Sequence, residues 1–365
     1  MTNLFLKMRS KESRPIKILG AGPAGLSAAI TLARSGCDVD VFESRSNCGS
    51  RFHGDVQGVE NWTSERDFRT ELDSFSIQPN FLLEPLNKVI GFDAKTPPTP
   101  LHHSEPLVYL IERGEGENSL DTGLKRQALN AGVRLHFNQS IRETDADLVA
   151  TGPRGKKRRG LAISENFEIP TQETLAYVRI DQETGSHGYS YLLAAAGKAC
   201  LSSVAWSHFD RAKSQFEISK KDLLALSGVR VTQSRLGGGI ATYSTNPRFH
   251  EFGRFFAGEA SGLQDPLWGF GVRSSILSGH YAALGILNEI DYESASRAHF
   301  QPRVQAGIVN RFLWERIGRM GSQRLLTAAE RSPDLKRFLR ALYAGSFSKK
   351  LLFPLASLLL KPSKR

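Results

Sequence analysis

A glycine-rich hexapeptide near the start of the chain has the spacing at which a main chain can approach a phosphate group. It reads Gly-Ala-Gly-Pro-Ala-Gly over residues 20–25. The first glycine permits a tight turn after a strand, the second leaves room for a pyrophosphate, and the third lets a helix pack closely on the strand. The proline loses no hydrogen bond in a first helical turn. The candidate binding residues of this loop are Gly20, Gly22, Pro23, Ala24 and Gly25.

The segments around this loop alternate between strand and helix patterns. A short β-branched run over residues 15–20 precedes it, and residues 23–35 carry apolar side chains at helical spacing. Residues 38–43 then alternate polar and apolar side chains and end in Glu43. A carboxylate at the end of the second strand of such a β–α–β unit bonds ribose hydroxyls. The pattern therefore predicts a dinucleotide site at the amino-terminal end of the first helix.

Two further segments favour FAD over NAD as the dinucleotide. Ser44, Arg45 and Arg51 follow Glu43 where flavoproteins of this type fold a loop against the cofactor. Far along the chain, Gly-Glu-Ala-Ser-Gly over residues 258–262 precedes a second glycine turn and a helix. A carboxylate there can bond ribityl hydroxyls, and a helix amino-terminus stabilises the negative charge of a reduced flavin. The predicted cofactor contacts of this late motif are Gly258, Glu259, Pro266, Gly269, Phe270 and Gly271. No metal site is predicted.

These motifs resemble those of the geranylgeranyl reductase family, within the wider group that shares the para-hydroxybenzoate hydroxylase fold. The resemblance covers residues 15–290. The late motif of the family is Gly-Asp-Ala-Ala-Gly, then proline, then Gly-x-Gly, and this chain has Glu259 in place of the aspartate. Family members also carry an arginine before a helix that begins near Asp-x-x-Leu, which Arg113 and residues 121–124 resemble. The resemblance implies an FAD-dependent oxidoreductase in which Arg113 belongs to the cofactor site.

The order of the segments predicts an α/β fold in which a Rossmann-type FAD-binding domain carries an inserted antiparallel sheet domain. We assign residues 15–155 and 250–290 to the FAD-binding domain. Strand-like patterns over residues 80–112 and 156–249 are assigned to a sheet domain that covers the flavin and holds the substrate. Residues 291–365 are predicted to form a helical, basic carboxyl-terminal region.

The resemblance also implies a prenyl or other apolar lipid substrate, whose carbon–carbon double bonds are reduced by hydride transfer from the flavin. In the sheet domain the family often has Tyr-x-Trp-x-Phe-Pro, whereas this chain has Gly-Tyr-Ser-Tyr-Leu-Leu over residues 188–193. Such aromatic and aliphatic side chains suit a hydrocarbon chain. The predicted substrate contacts are Tyr189, Tyr191, Trp206 and Trp268. An external electron donor, either NAD(P)H or a redox protein, would reduce the flavin.

The chemistry is predicted to belong to the flavin itself, with Cys48 as one candidate catalytic side chain. Some family members have a cysteine beside the flavin, and burial as a small apolar residue is the alternative for Cys48. Two other functions stay open. One is a monooxygenase of an aromatic or polyketide substrate on the same fold, and the other is a membrane-attached flavin-binding protein without turnover. The Trp-x-Trp-x-Ile-Pro signature of flavin halogenases is absent from the sequence, which argues against halogenation.

The basic charge of the chain is confined to its carboxyl-terminal end. The formal net charge is +11, and residues 303–365 hold 14 Lys and Arg against 3 Asp and Glu, so the residues before them sum to zero. One basic end indicates a surface that faces something anionic, whereas a uniformly basic protein would suggest nucleic acid, which we do not predict as a partner. Residues 351–360 are apolar, contain Pro354 and are flanked by lysines, which is typical of an interfacial anchor. A terminal helix docked on the body of the protein is the alternative.

Three features of the sequence bear on the cellular location. Three cysteines in 365 residues indicate a reducing compartment. No apolar run is long enough to span a bilayer, and the first residues lack the apolar core of a signal peptide. The sequence therefore predicts a cytoplasmic protein, either free or peripherally attached to the inner face of the membrane.

Overall fold

The computed structural model describes residues 14–153, 159–181 and 187–360, which form three β-sheets and eight α-helices numbered here in chain order. The strands of the Rossmann-type sheet are β1 (Ile16–Leu19), β2 (Val39–Glu43), β8 (Arg134–Phe137), β9 (Leu148–Val149), β15 (His250–Glu251) and β16 (Arg254–Phe256). Their order is β15-β16-β9-β1-β2-β8, and every neighbouring pair is parallel except β15 with β16.

Close packing at glycines fixes the helices of this unit against one another. The helices are α1 (Pro23–Arg34), α3 (Leu120–Asn130) and α5 (Val272–Ile286), and α1 packs against both of the others. A Cβ on Gly25 would lie 1.9 Å from the carbonyl oxygen of Gly20, and one on Gly279 would lie 2.1 Å from that of Ala24. Only glycine therefore allows α1 to begin this close to β1 and α5 to cross it here.

A seven-stranded sheet stands beside the Rossmann-type unit. Its strands are β5 (Lys88–Phe92), β6 (Thr99–His102), β10 (Gly160–Glu168), β11 (Leu175–Asp181), β12 (Gly188–Ala195), β13 (Lys198–Ala205) and β14 (Ser234–Ala241). The order is β14-β10-β13-β12-β11-β5-β6, and all pairs are antiparallel except β5 with β11. One face packs on α4 (Ala212–Ser227) through Phe216 and Leu223. Because side chains alternate along each strand, the opposite face is free to line a cavity.

A three-stranded sheet divides the segment 80–112. It contains β3 (Asp55–Glu60), β4 (Glu84–Leu86) and β7 (Val108–Arg113), in the order β3-β7-β4, and lies near α2 (Phe68–Ser74). Only β5 and β6 of that segment pair with the seven-stranded sheet. Alternation predicts strands but does not identify their partners, so the sequence placed all of residues 80–112 in one sheet. The domain boundaries themselves stay a prediction.

The carboxyl-terminal region is helical and consists of α6 (Tyr292–Glu330), α7 (Leu335–Tyr343) and α8 (Phe347–Leu359). α6 is kinked at Gly318, which has a φ of +58°, and both α7 and α8 pack on α6. Within the described ranges, no helix is long and apolar enough to cross a membrane. The predicted α/β fold class, with a Rossmann-type unit, an antiparallel sheet and carboxyl-terminal helices, is confirmed.

Candidate functional site

A cavity of about 720 Å³ extends from the glycine loop of the Rossmann-type unit, along the inner face of the seven-stranded sheet, to the carboxyl-terminal helices. At the first end its wall is made of glycine turns and charged side chains. At the other end it is made of aliphatic and aromatic side chains from α6, α7 and three strands. We call these the cofactor end and the tail end.

The glycine loop forms the first wall of the cofactor end. Gly20 has a φ of +108°, which favours glycine, and turns the chain from β1 into α1. Ala21, Gly22, Pro23 and Ala24 line the cavity. A Cβ on Gly22 would meet no atom within 4 Å, so the space in front of the loop is open. The first turn of α1, whose amide groups have no intrahelical acceptors, faces this space and suits a pyrophosphate.

Glu43 lies beside the loop, as the β–α–β pattern predicts. Its carboxylate accepts hydrogen bonds from the main-chain N–H of Ala21 at 3.0 Å and of Arg45 at 2.9 Å. Ser44 and Arg45 line the same part of the cavity. The carboxylate is therefore held at the carboxyl end of β2, in a position to meet ribose hydroxyls.

The late motif forms the opposite wall of the cofactor end. Gly258 and Gly269 have φ values of +63° and +75°, and Gly271 is the residue before α5. Gly258, Glu259 and residues 269–271 all line the cavity. The amino-terminus of α5 therefore points its positive end toward the same space as that of α1.

Glu259 is held by Thr242 rather than standing free. Its carboxylate accepts hydrogen bonds from the main-chain N–H of Thr242 at 3.0 Å and from its hydroxyl at 3.1 Å. Burial raises the pKa of Glu259, and these bonds together with the nearby Arg51 oppose the shift. Its contact with a ribityl chain stays a prediction.

Two arginines of the cofactor end flank Phe52. The guanidinium of Arg51 lies 4.8 Å and that of Arg113 lies 4.3 Å from the centre of the Phe52 ring. Arg113 is buried and makes a two-point ion pair with Asp121, at 2.8 and 2.9 Å. This pair ties the end of β7 to the first turn of α3. Part of the hydrogen-bonding capacity of Arg113 is therefore used by Asp121. Asp121 belongs to the Asp-x-x-Leu that the sequence motif placed at the start of the helix.

Three predicted site residues, Gly25, Cys48 and Pro266, lie away from the cavity lining. Gly25 packs against the carbonyl oxygen of Gly20. Cys48 is 2% exposed within the core, and burial raises the pKa of its thiol to about 12. Its alternative role, as a small buried apolar residue, describes this position better than catalysis. Pro266 packs on α6, where a Cβ on Gly307 would lie 2.7 Å from its ring. Motif spacing does not reveal which side of a turn faces a ligand, and which of the predicted site residues contact one stays a prediction.

The four predicted substrate contacts all line the cavity. Tyr189 and Tyr191 share the inner face of β12, with ring centres 6.1 Å apart. The ring of Trp268 meets Tyr189 edge-on at 5.3 Å, and the Tyr189 hydroxyl donates to the carbonyl oxygen of Trp268. Trp206 lies against the glycine turn, since a Cβ on Gly269 would be 3.5 Å from its ring. The structure therefore groups these aromatic residues next to the late motif.

Several known proteins are similar to this chain in sequence or in structure. Residues 18–71 match a family model described as an NAD(P)-binding Rossmann-like domain. The solved structure of the flavin-dependent brominase Bmp2 superimposes with a TM-score of 0.61 at 15% identity, over 93% of this chain and 97% of that one. The dinucleotide-binding unit and the sheet beside it are therefore shared with a flavin-dependent enzyme.

Two further relatives carry the name reductase. The digeranylgeranylglycerophospholipid reductase of Haloferax volcanii is 24% identical over 381 residues, covering 88% of this chain and 91% of that protein. A geranylgeranyl bacteriochlorophyll reductase-like protein from Thermoplasma acidophilum superimposes with a TM-score of 0.69 at 16% identity, over 93% of this chain and 95% of that one. The chain has a geranylgeranyl reductase-like flavoprotein fold. The predicted resemblance is confirmed, and these relatives, a reductase and a flavin-dependent enzyme by name, agree with the predictions of an oxidoreductase and of FAD as its cofactor.

Sequence reasoning missed most of the tail end of this geranylgeranyl reductase-like fold. The carboxyl-terminal region was predicted to be helical and basic, with residues 351–360 as either an interfacial anchor or a helix docked on the body. A role in the cavity was not predicted, but α6 and α7 form one wall of it. Apolar side chains at helical spacing in residues 335–342 were the available signal. The tail end is lined by Val89, Gly91, Leu101, Ala176, Val178, Ile180, Leu325, Leu326, Ala329, Leu335, Phe338, Leu339 and Leu342.

A polar strip lies between the two ends, and of its residues the sequence predicted only Tyr191. Asp55 accepts hydrogen bonds from the main-chain N–H of His53 at 2.8 Å and from the amide of Asn166 at 3.0 Å. Ser202 stands between Tyr191 and Ser164 in one row across β12, β13 and β10. Asp55, Tyr191, Ser164 and Ser202 line the cavity. This strip marks the transition from the charged cofactor end to the apolar tail end.

Proposed function

We propose that the cofactor end binds FAD and that the tail end receives the hydrocarbon chain of a lipid. The adenosine and pyrophosphate half would be held by Glu43 and by the loop over residues 20–25, where the open space at Gly22 fits a phosphate. The turn over residues 269–271 and the amino-terminus of α5 would face the flavin. Bound there, FAD would supply an electron pair for the reduction of a carbon–carbon double bond.

The observation that carries this proposal is the continuity of the cavity. A single space joins two helix amino-termini and the carboxylate of Glu43 to a lining that is entirely apolar at its far end. A compact polar substrate would leave the tail end without a ligand. A prenyl or similar chain would fill it and remove apolar surface from water, at about 25 cal/mol for each Å² buried.

In this proposal the chain's own residues orient the substrate and exclude water. Tyr189, Trp206 and Trp268 surround the place where the two ends meet, so a double bond held there would lie beside the flavin turn. Burial raises the pKa of the hydroxyls of Tyr189 and Tyr191, which keeps both protonated at neutral pH. The reducing equivalents would come from NAD(P)H or a redox protein.

A monooxygenase of an aromatic substrate is the second candidate, and the polar strip favours it. Asp55, Ser164 and Ser202 line the cavity and could meet the polar groups of a compact ring. The strip is short, however, and the larger part of the lining beyond it is apolar. The flavin-dependent brominase of similar fold also shows that this architecture serves more than one reaction.

We also propose that α8 attaches the protein to an anionic membrane surface. Phe347, Leu351, Leu355 and Leu358 lie on one face of α8 and are between 48% and 82% exposed, while Ala356 on the opposite face is buried. Lys350 is exposed beside this face. An exposed apolar stripe with basic neighbours suits the boundary between headgroups and acyl chains. Residues 361–365, with the other predicted basic flank, lie outside the described residues.

Lipid extraction of the purified protein tests the proposed substrate class. The protein would be washed, extracted with organic solvent and analysed by mass spectrometry, with the extract of an Ala329→Trp variant as the control for the tail end. We expect polyprenyl or other long-chain lipids that are depleted in the variant. Aromatic molecules that are equally abundant in both extracts would favour the monooxygenase.

A further inference from the structure

α7 covers the tail end of the cavity with one face. Leu335, Phe338, Leu339 and Leu342 line the cavity, whereas Arg337 on the other side is exposed. Residues 331–334 before α7 and residues 344–346 after it are not helical, and the second of these segments contains Gly345. α7 packs mainly on α6. It is therefore a separate short helix between two turns, with its apolar face over the tail end.

Two ion pairs tie α7 to the rest of the protein, each through a carboxylate that is at least half exposed. Lys336, whose side chain is only 7% exposed, pairs with Glu105 at 2.7 Å, and Asp334 pairs with His103 at 3.3 Å; the two carboxylate side chains are 65% and 50% exposed. The amide of Asn310 also donates to the carbonyl oxygen of Leu342.

One buried contact joins α7 to the cofactor end. The hydroxyl of Tyr343, which is 6% exposed, donates to Oδ2 of Asp265 at 3.0 Å. The same oxygen accepts the main-chain N–H of Trp268 at 2.6 Å, and Trp268 begins the segment that lines the cavity through Gly271. The position of α7 is thereby linked to the turn that would face the flavin.

We propose that α7 is a lid over the tail end, that it opens to admit an apolar chain, and that the bond between Tyr343 and Asp265 is its latch. The proposal rests on the proposed function, because it takes the tail end as the site of the hydrocarbon chain. When α7 opens, its apolar face leaves the cavity. That face stays out of water because it moves onto an entering chain or an acyl layer. Such a movement breaks the latch and the ion pairs of Lys336 and Asp334. The exposed face of α8, three residues after α7, places the lid next to the proposed membrane surface.

Uptake of a fluorescent polyene fatty acid, cis-parinaric acid, by the full-length, FAD-loaded protein tests the lid. The rate would be followed by stopped-flow fluorescence. Tyr343→Phe removes one hydrogen bond from the closed state, so we expect uptake to become roughly two- to tenfold faster. Glu105→Gln, at an exposed position, weakens the ion pair with Lys336 without removing its hydrogen-bond acceptor, and should give a smaller acceleration. Hydrogen exchange of residues 335–343 should increase in parallel.

Tyr109→Phe is the matched control, because the buried Tyr109 also donates from its hydroxyl to a half-buried carboxylate, that of Asp67, and Tyr109 does not line the cavity. Its uptake rate should equal that of the unmodified protein. Equal rates for Tyr343→Phe and Tyr109→Phe would overturn the lid, as would the absence of uptake by every form. Failure of the proposed reductase function is separable from these outcomes, since it would leave fast, Tyr343-dependent uptake without reduction of a double bond.

Discussion

The cofactor end and the tail end of the cavity are built in different ways. At the cofactor end, two short motifs each form a glycine turn followed by a helix amino-terminus, and backbone conformation determines the wall: Gly20, Gly258 and Gly269 all have positive φ. At the tail end, single apolar side chains come from β5, β6, β11, α6 and α7, and no local conformation is special. A substitution at the first end should therefore act on cofactor binding, and one at the second end on the choice of substrate.

The largest expected effect is that of Gly22→Val, which tests whether the cofactor end binds a phosphate at its backbone. Gly22 has a φ of −82° and an ideal Cβ there meets no atom, so valine should fit the fold and occupy the ligand space. We expect folded protein without bound FAD, measured by absorbance and thermal unfolding. Gly25→Val is the contrasting variant, because its Cβ would overlap the carbonyl of Gly20 and should prevent folding. Yellow Gly22→Val protein would refute the assignment.

Ala329→Trp tests whether the tail end determines the choice of substrate. Ala329 is buried on α6 and lines the tail end, so an indole there should shorten the cavity and leave the cofactor end intact. We expect unchanged FAD content and a loss of kcat/KM of about ten- to a hundredfold with a geranylgeranyl lipid. A lipid with a single prenyl unit should lose much less. Ala328→Trp, at the exposed neighbouring position, is the control. An equal loss with both lipids would contradict the assignment of the tail end.

Leu351→Asp separates the two roles assigned to the carboxyl-terminal region. Leu351 is 72% exposed on α8 and would be buried among acyl chains when the protein binds a membrane. Its replacement should therefore weaken binding to anionic vesicles about tenfold. Turnover of a detergent-dispersed substrate should not change, because α8 does not line the cavity. Leu236→Asp alters an equally exposed leucine on β14 and should have no effect on vesicle sedimentation. Equal sedimentation of both variants would speak against α8 as the attachment site.

Glu259→Ala should have the smallest effect of these variants, a modest loss of FAD affinity at the cofactor end. If the carboxylate bonds the ribityl chain in addition to Thr242, its loss should weaken FAD binding by about 1–2 kcal/mol. The measurement is fluorescence titration of the apoprotein with FAD. Glu251→Ala, an exposed glutamate on β15, controls for the change of charge. An unchanged affinity would mean that Glu259 only supports Thr242.

The difference between the two ends also explains how much the sequence could predict. Gly20, Gly22 and Glu43 could be placed because a turn, a helix start and a strand end lie within one local β–α–β unit. Tyr189 and Tyr191 were selected because residues 188–193 resemble a strand motif of the family, and strand alternation then puts both on one face. Side-chain partners were not predictable: nothing local shows that Thr242 holds Glu259, or that Cys48 turns into the core.

The tail end could not be predicted in the same way. Val89, Val178 and Leu326 are ordinary apolar residues in segments far apart in the chain, and only the pairing of β5 with β11 and the packing of α6 bring them together. The carboxyl-terminal region was assigned from its charge, which describes its outer surface. The inner face of α7 carries apolar side chains whose spacing fits a helix packed on any apolar partner, so the sequence did not show that the partner is a cavity.

The central claim is that one cavity joins a flavin to a hydrocarbon chain, and anaerobic single turnover tests it most directly. The FAD-loaded protein would be reduced with dithionite, freed of excess reductant and mixed with a geranylgeranyl lipid in the absence of oxygen. We predict that the flavin absorbance returns and that the lipid gains the mass of two hydrogen atoms for each double bond reduced. Flavin that stays reduced until air is admitted, with a product that carries an added oxygen atom, would contradict the account.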